Sequence, residues 1–298
     1  MADRTADDGP TRRVRAQRVQ TDGQPPQTVD ELVDVAVERA LTIDVDRVDS
    51  YTLLCSPSDQ RALTMGFLLT EGVIDDASDM AELRRCDDEQ DVMRVRLRSE
   101  PPRLGDEGRN LLIVSSCGLC GAESLAHKLA AIPPVGDLLR VDPATLRTAE
   151  RALRKHQALF RSTGGTHAVG LFDAEGTILC AAEDTGRHNA LDKAIGKELL
   201  AGRSPAGLGA VLSGRVSLEM VGKCARAGIE IITAVSAPTS LAIEVAERCS
   251  ITLCAFVRET RATVFTHPHR VRGLPSRGPC LPEPQGAPPE PAGEIPDR

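Results

Sequence analysis

The feature that most constrains the fold is an alternation, in the second half of the chain, of short apolar runs with amphipathic stretches. Residues 210–212, 230–234 and 251–257 read as strands, and residues 217–227 and 239–249 between them read as helices. Upstream, residues 167–172 and 178–182 read as strands joined by the turn Asp173-Ala174-Glu175-Gly176, with a helix over 188–200. A long amphipathic helix is expected over 145–161, and a short apolar run over 111–114. Strands alternating with helices predict an α/β fold with a mostly parallel sheet covered on both faces.

A smaller α+β part precedes it. Residues 51–55 and 92–97 read as strands. Between them, Ser58 can cap a helix that carries Leu63, Met65, Leu68 and Leu69 and stops at Gly72. The ends differ in composition. Residues 1–27 hold almost no apolar cluster, and residues 273–298 are rich in Pro, Gly and Glu; both read as disordered tails. The expected organisation is a tail over 1–27, an α+β subdomain over 28–110, an α/β domain over 111–272 and a Pro-rich tail over 273–298.

The 298 residues are 41% hydrophobic and 27% charged, which allows a sizeable core, built from aliphatic residues because Trp is absent and Tyr occurs once. A net charge of −7 argues against a nucleic-acid partner. No apolar run is long enough to span a membrane, and no signal-like segment opens the chain, so a cytoplasmic location is expected. In a reducing compartment a close Cys pair is more often catalytic or metal-binding than structural.

That pair is Cys117 and Cys120, in Ser116-Cys117-Gly118-Leu119-Cys120-Gly121 ahead of a helical stretch. A Cys at a helix N-terminus meets the positive end of the dipole, which favours the nucleophilic thiolate. A zinc half-site, a thioredoxin-like redox pair, a buried pair and a nucleophilic sulfur carrier all share this spacing. Zinc would need two further ligands and no second CxxC follows, so no metal is expected. A thioredoxin-like motif lacks its usual Trp, and the flanking Gly and Ser suit an exposed loop.

Other candidates lie where strands meet helices. His167 follows Thr163-Gly164-Gly165-Thr166, and a base, a donor or a plain turn histidine are all open to it. Arg187 and His188 open the 188–200 helix. Ser213-Gly214-Arg215 follows a strand and opens a helix, an anion-binding geometry. Phe256-Val257-Arg258-Glu259-Thr260-Arg261 sets two Arg three apart in a turn, suited to phosphate. Together these describe a protein that holds an anionic ligand beside a nucleophilic sulfur.

The motifs Gly66-Phe67-Leu68-Leu69-Thr70-Glu71-Gly72, Ser116 to Gly121, Thr163 to His167, Gly186-Arg187-His188-Asn189-Ala190-Leu191-Asp192-Lys193, Ser213-Gly214-Arg215 and Ala234-Val235-Ser236-Ala237-Pro238-Thr239-Ser240 occur in the order found in the FdhD family of formate dehydrogenase accessory sulfurtransferases, which the chain resembles over about 37–271. The resemblance implies a cytidine-deaminase-like three-layer α/β domain with a smaller N-terminal part, in a cytoplasmic homodimer. It implies sulfur accepted as a persulfide from a cysteine desulfurase and delivered to the molybdenum bis-molybdopterin guanine dinucleotide cofactor of formate dehydrogenase, a client rather than a resident cofactor. The persulfide position corresponds to Cys117, and the cofactor-binding stretch to Phe256 through Arg261. This chain departs from the family at Glu259-Thr260, where Gly is expected after Arg258, and so adds a negative charge to a phosphate site.

Overall fold

The structure, a computed structural model, describes residues 9–21, 28–46, 48–86, 89, 91–99, 111–113, 132 and 134–275. Cys117 and Cys120 therefore lie outside the described residues, as do 276–298 of the Pro-rich tail.

The centre of the α/β part is a six-stranded sheet. Its strands are β8 (His167–Phe172), β9 (Ile178–Asp184), β10 (Gly209–Leu212), β11 (Ile231–Ala234), β12 (Thr252–Ala255) and β13 (Thr263–Val264), in the order β13-β12-β11-β10-β8-β9. The β10–β11 and β11–β12 pairs are parallel, whereas β10–β8, β8–β9 and β12–β13 are antiparallel. The sheet is thus mixed rather than mostly parallel. The β9–β10, β10–β11 and β11–β12 connections each carry a crossover helix between strands of one direction, whereas β8–β9 is a hairpin and β12–β13 a short return; β8, set between β9 and β10, and β13 at the edge make the sheet mixed. In the β8–β9 turn, the Asp173 carboxylate accepts from the N–H of Glu175 (3.1 Å) and Thr177 (2.8 Å), and Gly176 takes φ +83°.

Helix α2 (Pro143–Lys155) covers one face, its Leu146, Ala149 and Leu153 packing with Ala168, Phe172, Val211, Ile231 and Cys254. Helices α4 (Arg187–Leu200), α5 (Leu218–Arg226) and α6 (Ser240–Arg248) cover the other, against Val169, Leu171, Ala210, Leu212, Ile232 and Leu253. The expected helix over 145–161 is two: α2 ends at Lys155, and α3 (Ala158–Thr163) starts anew. The Glu183 carboxylate causes the restart by accepting from the N–H of Leu159 (2.8 Å) and Phe160 (2.7 Å), which a continuous helix would have used internally.

Beyond α4 lies α1 (Gln60–Thr70), and beyond α1 a five-stranded sheet: β3 (Arg39–Val45), β4 (Asp49–Cys55), β5 (Met80–Arg85), β6 (Val92–Leu97) and β7 (Leu111–Ile113), in the order β5-β6-β3-β4-β7. Residues 111–113 therefore join the N-terminal sheet, parallel to β4. Helices α1 and α4 touch backbone to backbone. A Cβ on Gly66 would stand 1.9 Å from the Asp192 carbonyl oxygen, and one on Gly196 1.9 Å from that of Ala62. Asp59, not Ser58, precedes α1, with φ +56° and no side-chain cap.

Residues 11–19, read from composition as part of a tail, form strand β1 (Thr11–Val19), paired antiparallel along its whole length with β2 (Thr28–Ala36). Opposite charges across the ribbon explain it: Arg13 meets Asp34 (3.0 Å) and Arg18 meets Glu31 (2.8 Å).

Candidate functional site

The sheet topology brings the candidate loops to one end. Strands β10, β11 and β12 finish there, β9 finishes there, and the antiparallel β8 begins there with His167. Across that end stand, in turn, residues 256–261 after β12, 235–239 after β11, 213–217 after β10, then His167, then Arg187 and His188 after β9. Ligands of open α/β sheets bind in the crevice outside the carboxyl ends of the strands.

Local bonding fixes the loops. Ser213 Oγ accepts from the Ala168 N–H (2.9 Å), and the Ser213 N–H donates to the Ala168 carbonyl (3.0 Å), which joins the 213–217 loop to the start of β8. Gly214 then lies against His167: a Cβ there would be 3.1 Å from Nδ1, so a larger residue would press on the ring. The Val216 N–H donates to Ala237 O (3.1 Å) and the Thr239 N–H to Val216 O (3.0 Å), so two neighbouring loops are zipped together. Thr239 caps α6 by accepting from Ala242 N–H (3.2 Å). The N-caps of α4 and α5, Gly186 and Ser217, make no such side-chain bond; in the first turn of α5 the Glu219 carboxylate bonds its own backbone N–H instead.

His188 is buried, with Nε2 3.4 Å from Ser217 Oγ and 3.5 Å from Glu219 Oε2; the Ser217 hydroxyl donates to Glu219 (2.8 Å). The hydrogen bond from His188 holds the Glu219 carboxyl down at about 2, and Ser217 adds to it. His167 is shifted the other way for a histidine: burial lowers its pKa, and the positive charges of Arg187 and His188 lower it further. The site thus holds a His beside a carboxylate and a second His whose pKa burial lowers. Arg187 Nε is buried without a hydrogen-bond partner among the described residues.

At the β12 end the two Arg of the turn are held differently. Phe256 takes φ +53°, is 40% exposed, and its ring lies 6.2 Å from that of Phe265. Val257 is buried. Arg258 turns its guanidinium back onto the Val235 carbonyl (2.6 Å), and its N–H donates to Arg261 O (2.8 Å) to close the turn. Glu259, Thr260 and Arg261 are exposed, as is Arg215. The Glu259 carbonyl accepts from Arg147 (2.9 Å). Ser217 and Glu219 belong to the site's bonding although sequence reasoning had not singled out Glu219; its only signal was a carboxylate two residues beyond a predicted helix cap.

Six cysteines lie among the described residues, all free: Cys55, Cys86, Cys224, Cys249 and Cys254 are buried and Cys180 partly so. Burial pushes the thiols of Cys55, Cys180 and Cys254 up to about 12 and raises those of Cys224 and Cys249 as well. None of these five is a ready thiolate. Among the described residues no group of three His, Cys, Asp or Glu could hold a metal ion, and no helix is long and apolar enough to cross a membrane.

Residues 36–272 match the FdhD/NarQ family. The sulfur carrier protein FdhD of Bordetella bronchiseptica is 40% identical over 241 residues, covering 80% of this chain and 87% of the relative. The sulfur carrier protein FdhD of Thermoplasma acidophilum is 37% identical over 246 residues, covering 80% and 86%. A crystal structure assigned as a formate dehydrogenase accessory protein from Desulfotalea psychrophila overlays with a TM-score of 0.67 at 27% identity, covering 87% of this chain and 99% of that one. The chain belongs to the FdhD/NarQ family of sulfur carrier and formate dehydrogenase accessory proteins.

Proposed function

We propose that this protein carries sulfur as a persulfide on Cys117 and delivers it to the molybdenum bis-molybdopterin guanine dinucleotide cofactor destined for formate dehydrogenase. A cysteine desulfurase as donor, a homodimeric state and a cytoplasmic setting belong to the same reading and rest on the family resemblance.

The observation that carries the reading is the register of β7. Ile113 pairs with Leu53, and three residues past Leu53 is Ser56, whose Oγ accepts from the Thr185 N–H (3.1 Å) at the Arg187 end of the sheet. Cys117 follows Ile113 by four residues. An extended chain spans at most about 3.5 Å per residue, so covalent reach keeps Cys117 within about 14 Å of Ile113, whatever path the chain takes. That reach allows Cys117 to approach the Arg187 end of the sheet, where Arg187 and the two histidines stand, and this supports the reading. The raised thiols elsewhere also favour Cys117 and Cys120 as the reactive pair.

Loading is a thiol exchange. The Cys117 thiolate attacks the outer sulfur of the donor's persulfide; the new S–S bond forms as the old one breaks, and the donor cysteine leaves as its thiolate. No net oxidation occurs. A persulfide anion is stabilised by the same positive site, and Arg258, Arg261 and Arg215 supply charge for the client's phosphates. Phe256, with its exposed ring, offers a stacking face. His167, His188 and Ser213 complete the polar lining, and Cys120 can relay or resolve the sulfur.

Activation of formate dehydrogenase tests this. The wild type should support it and Cys117→Ala should not, whereas Cys120→Ala should retain loading with slower transfer. Full activation by Cys117→Ala would make the protein a cofactor-shielding chaperone instead.

A further inference from the structure

Asp184 ends β9 and has no exposed surface. Its carboxylate gathers groups from two parts of the molecule. Oδ1 accepts from the Gly186 N–H (2.8 Å) and from Asn189 Nδ2 (3.1 Å). Oδ2 accepts from the Ser56 N–H (3.0 Å) and faces Lys193 Nζ at 2.6 Å, a pair in which both side chains are fully buried. Lys193 also donates to the Ser56 carbonyl (3.1 Å), and Asn189 donates to that of Leu54 (2.8 Å). Ser56, at the end of β4, is thus held at its N–H, its carbonyl and its hydroxyl by one turn and the helix that follows.

Burying two charges gains little stability, because desolvation offsets most of their attraction. What Asp184 does determine is local geometry. Gly186 is the N-cap of α4 and has no side chain with which to cap it, and the next two residues are Arg187 and His188. The acceptor that shapes this turn is Asp184, two residues upstream of the cap.

The geometry points to Asp184 as a positioning residue of the site: it sets the turn at 184–187 so that His188 meets Ser217 and Glu219 and Arg187 stays beside His167, and it registers the end of β4 against the same turn. Lys193 neutralises the carboxylate but does not shape the turn. The consequence for ligand binding rests on the proposed function; the geometric half does not.

Two variants separate position from stability. Lys193→Met removes the cation and leaves Asp184 its three N–H donors. Asp184→Asn with Lys193→Met removes every buried charge at the clamp, but Asn has one acceptor oxygen and turns an NH2 toward donors. Guanosine diphosphate, a fragment of the proposed client, is the binding probe; Glu219, followed by carbon-13 NMR, reports His188. Lys193→Met should melt lower than wild type yet keep Glu219 ionised through pH 4 and bind the probe within about threefold of wild type. The double variant should melt no lower than Lys193→Met, yet Glu219 should titrate in the ordinary carboxylate range and the probe should bind about tenfold or more weakly. A merely structural clamp would make both readouts follow the melting temperature. Wild-type Glu219 titration in the double variant overturns the inference, and that comparison with wild type decides it even if Lys193→Met does not fold. If wild type binds no guanosine diphosphate, the proposed cofactor site fails while the Glu219 titration still judges Asp184.

Discussion

The two ends of the six-stranded sheet are built from similar residues and use them differently. At the end away from the site, Glu230 accepts from the N–H groups of Leu138 (2.9 Å) and Leu139 (2.6 Å). Arg270, only 1% exposed, donates to the Ser250 carbonyl (2.7 Å), Thr252 Oγ1 (3.2 Å) and the Gly136 carbonyl. Its Nε makes no directed hydrogen bond but sits 3.2 Å from Asp137 and 3.5 Å from Glu230, so charge alone holds it. His269 closes the cluster on Asp137 (3.0 Å). Buried polar groups in a stable fold find partners, and apart from the Arg270 Nε those of this cluster do. At the site end, Arg187 Nε is an orphan, two helix starts lack side-chain caps, and Arg215, Arg261 and Phe256 face solvent. At one end the charges are paired in a single buried cluster; at the other, beside the buried Asp184–Lys193 pair, Arg215 and Arg261 stay exposed.

If that contrast is right, stability and binding should come apart by end. The largest stability effect should come from Arg270→Met. Removing one partner of a buried ion pair costs about 3–5 kcal/mol, so urea denaturation should show a loss of that order, while the folded fraction binds guanosine diphosphate as wild type does. Arg258→Ala or Arg261→Ala should do the reverse. Each should remove a hydrogen bond to a charged group, about 1.5–3 kcal/mol, which titration would read as about tenfold or more weaker binding; the melting temperature should stay nearly unchanged in Arg261→Ala and fall slightly in Arg258→Ala, which also loses the bond to Val235. Equal affinity in wild type and both variants would place the phosphate site elsewhere. The smallest effect should come from Glu219→Gln. Because His188 holds this carboxyl at about 2, below its unfolded value of 4.5, its contribution is present above about pH 4.5 and fades as pH falls toward 2. The side chain is 36% exposed, so the wild-type advantage at pH 7 should be no more than about 1 kcal/mol, and it should vanish on acidification.

How far the sequence reveals this molecule depends on how local the cause is. Strands β6 and β8 follow the predicted boundaries because apolar periodicity alone decides them. Strand β1 was hidden because its alternation is of Arg with small residues, and its acidic partner strand begins nine residues after it ends. The break between α2 and α3 was hidden because its cause, Glu183, lies 20 residues beyond the end of α3. At the site, the strand-end loops are legible as Gly-, Ser- and Arg-rich breaks between apolar runs. Their mutual contacts are not: His188 meets Glu219 across 31 residues, and Asp184 meets Ser56 across 128. The orientation of Arg258 onto Val235 is likewise a tertiary fact.

The sulfur itself remains the most direct test of the central claim. The protein is incubated with a cysteine desulfurase and cysteine, weighed intact by mass spectrometry and then mapped by peptide. Wild type should gain the mass of one sulfur atom, on Cys117, and Cys117→Ala should gain none, while Cys120→Ala keeps the adduct. A stable persulfide on Cys180, Cys224 or any other cysteine, or an undiminished adduct in Cys117→Ala, would contradict the account.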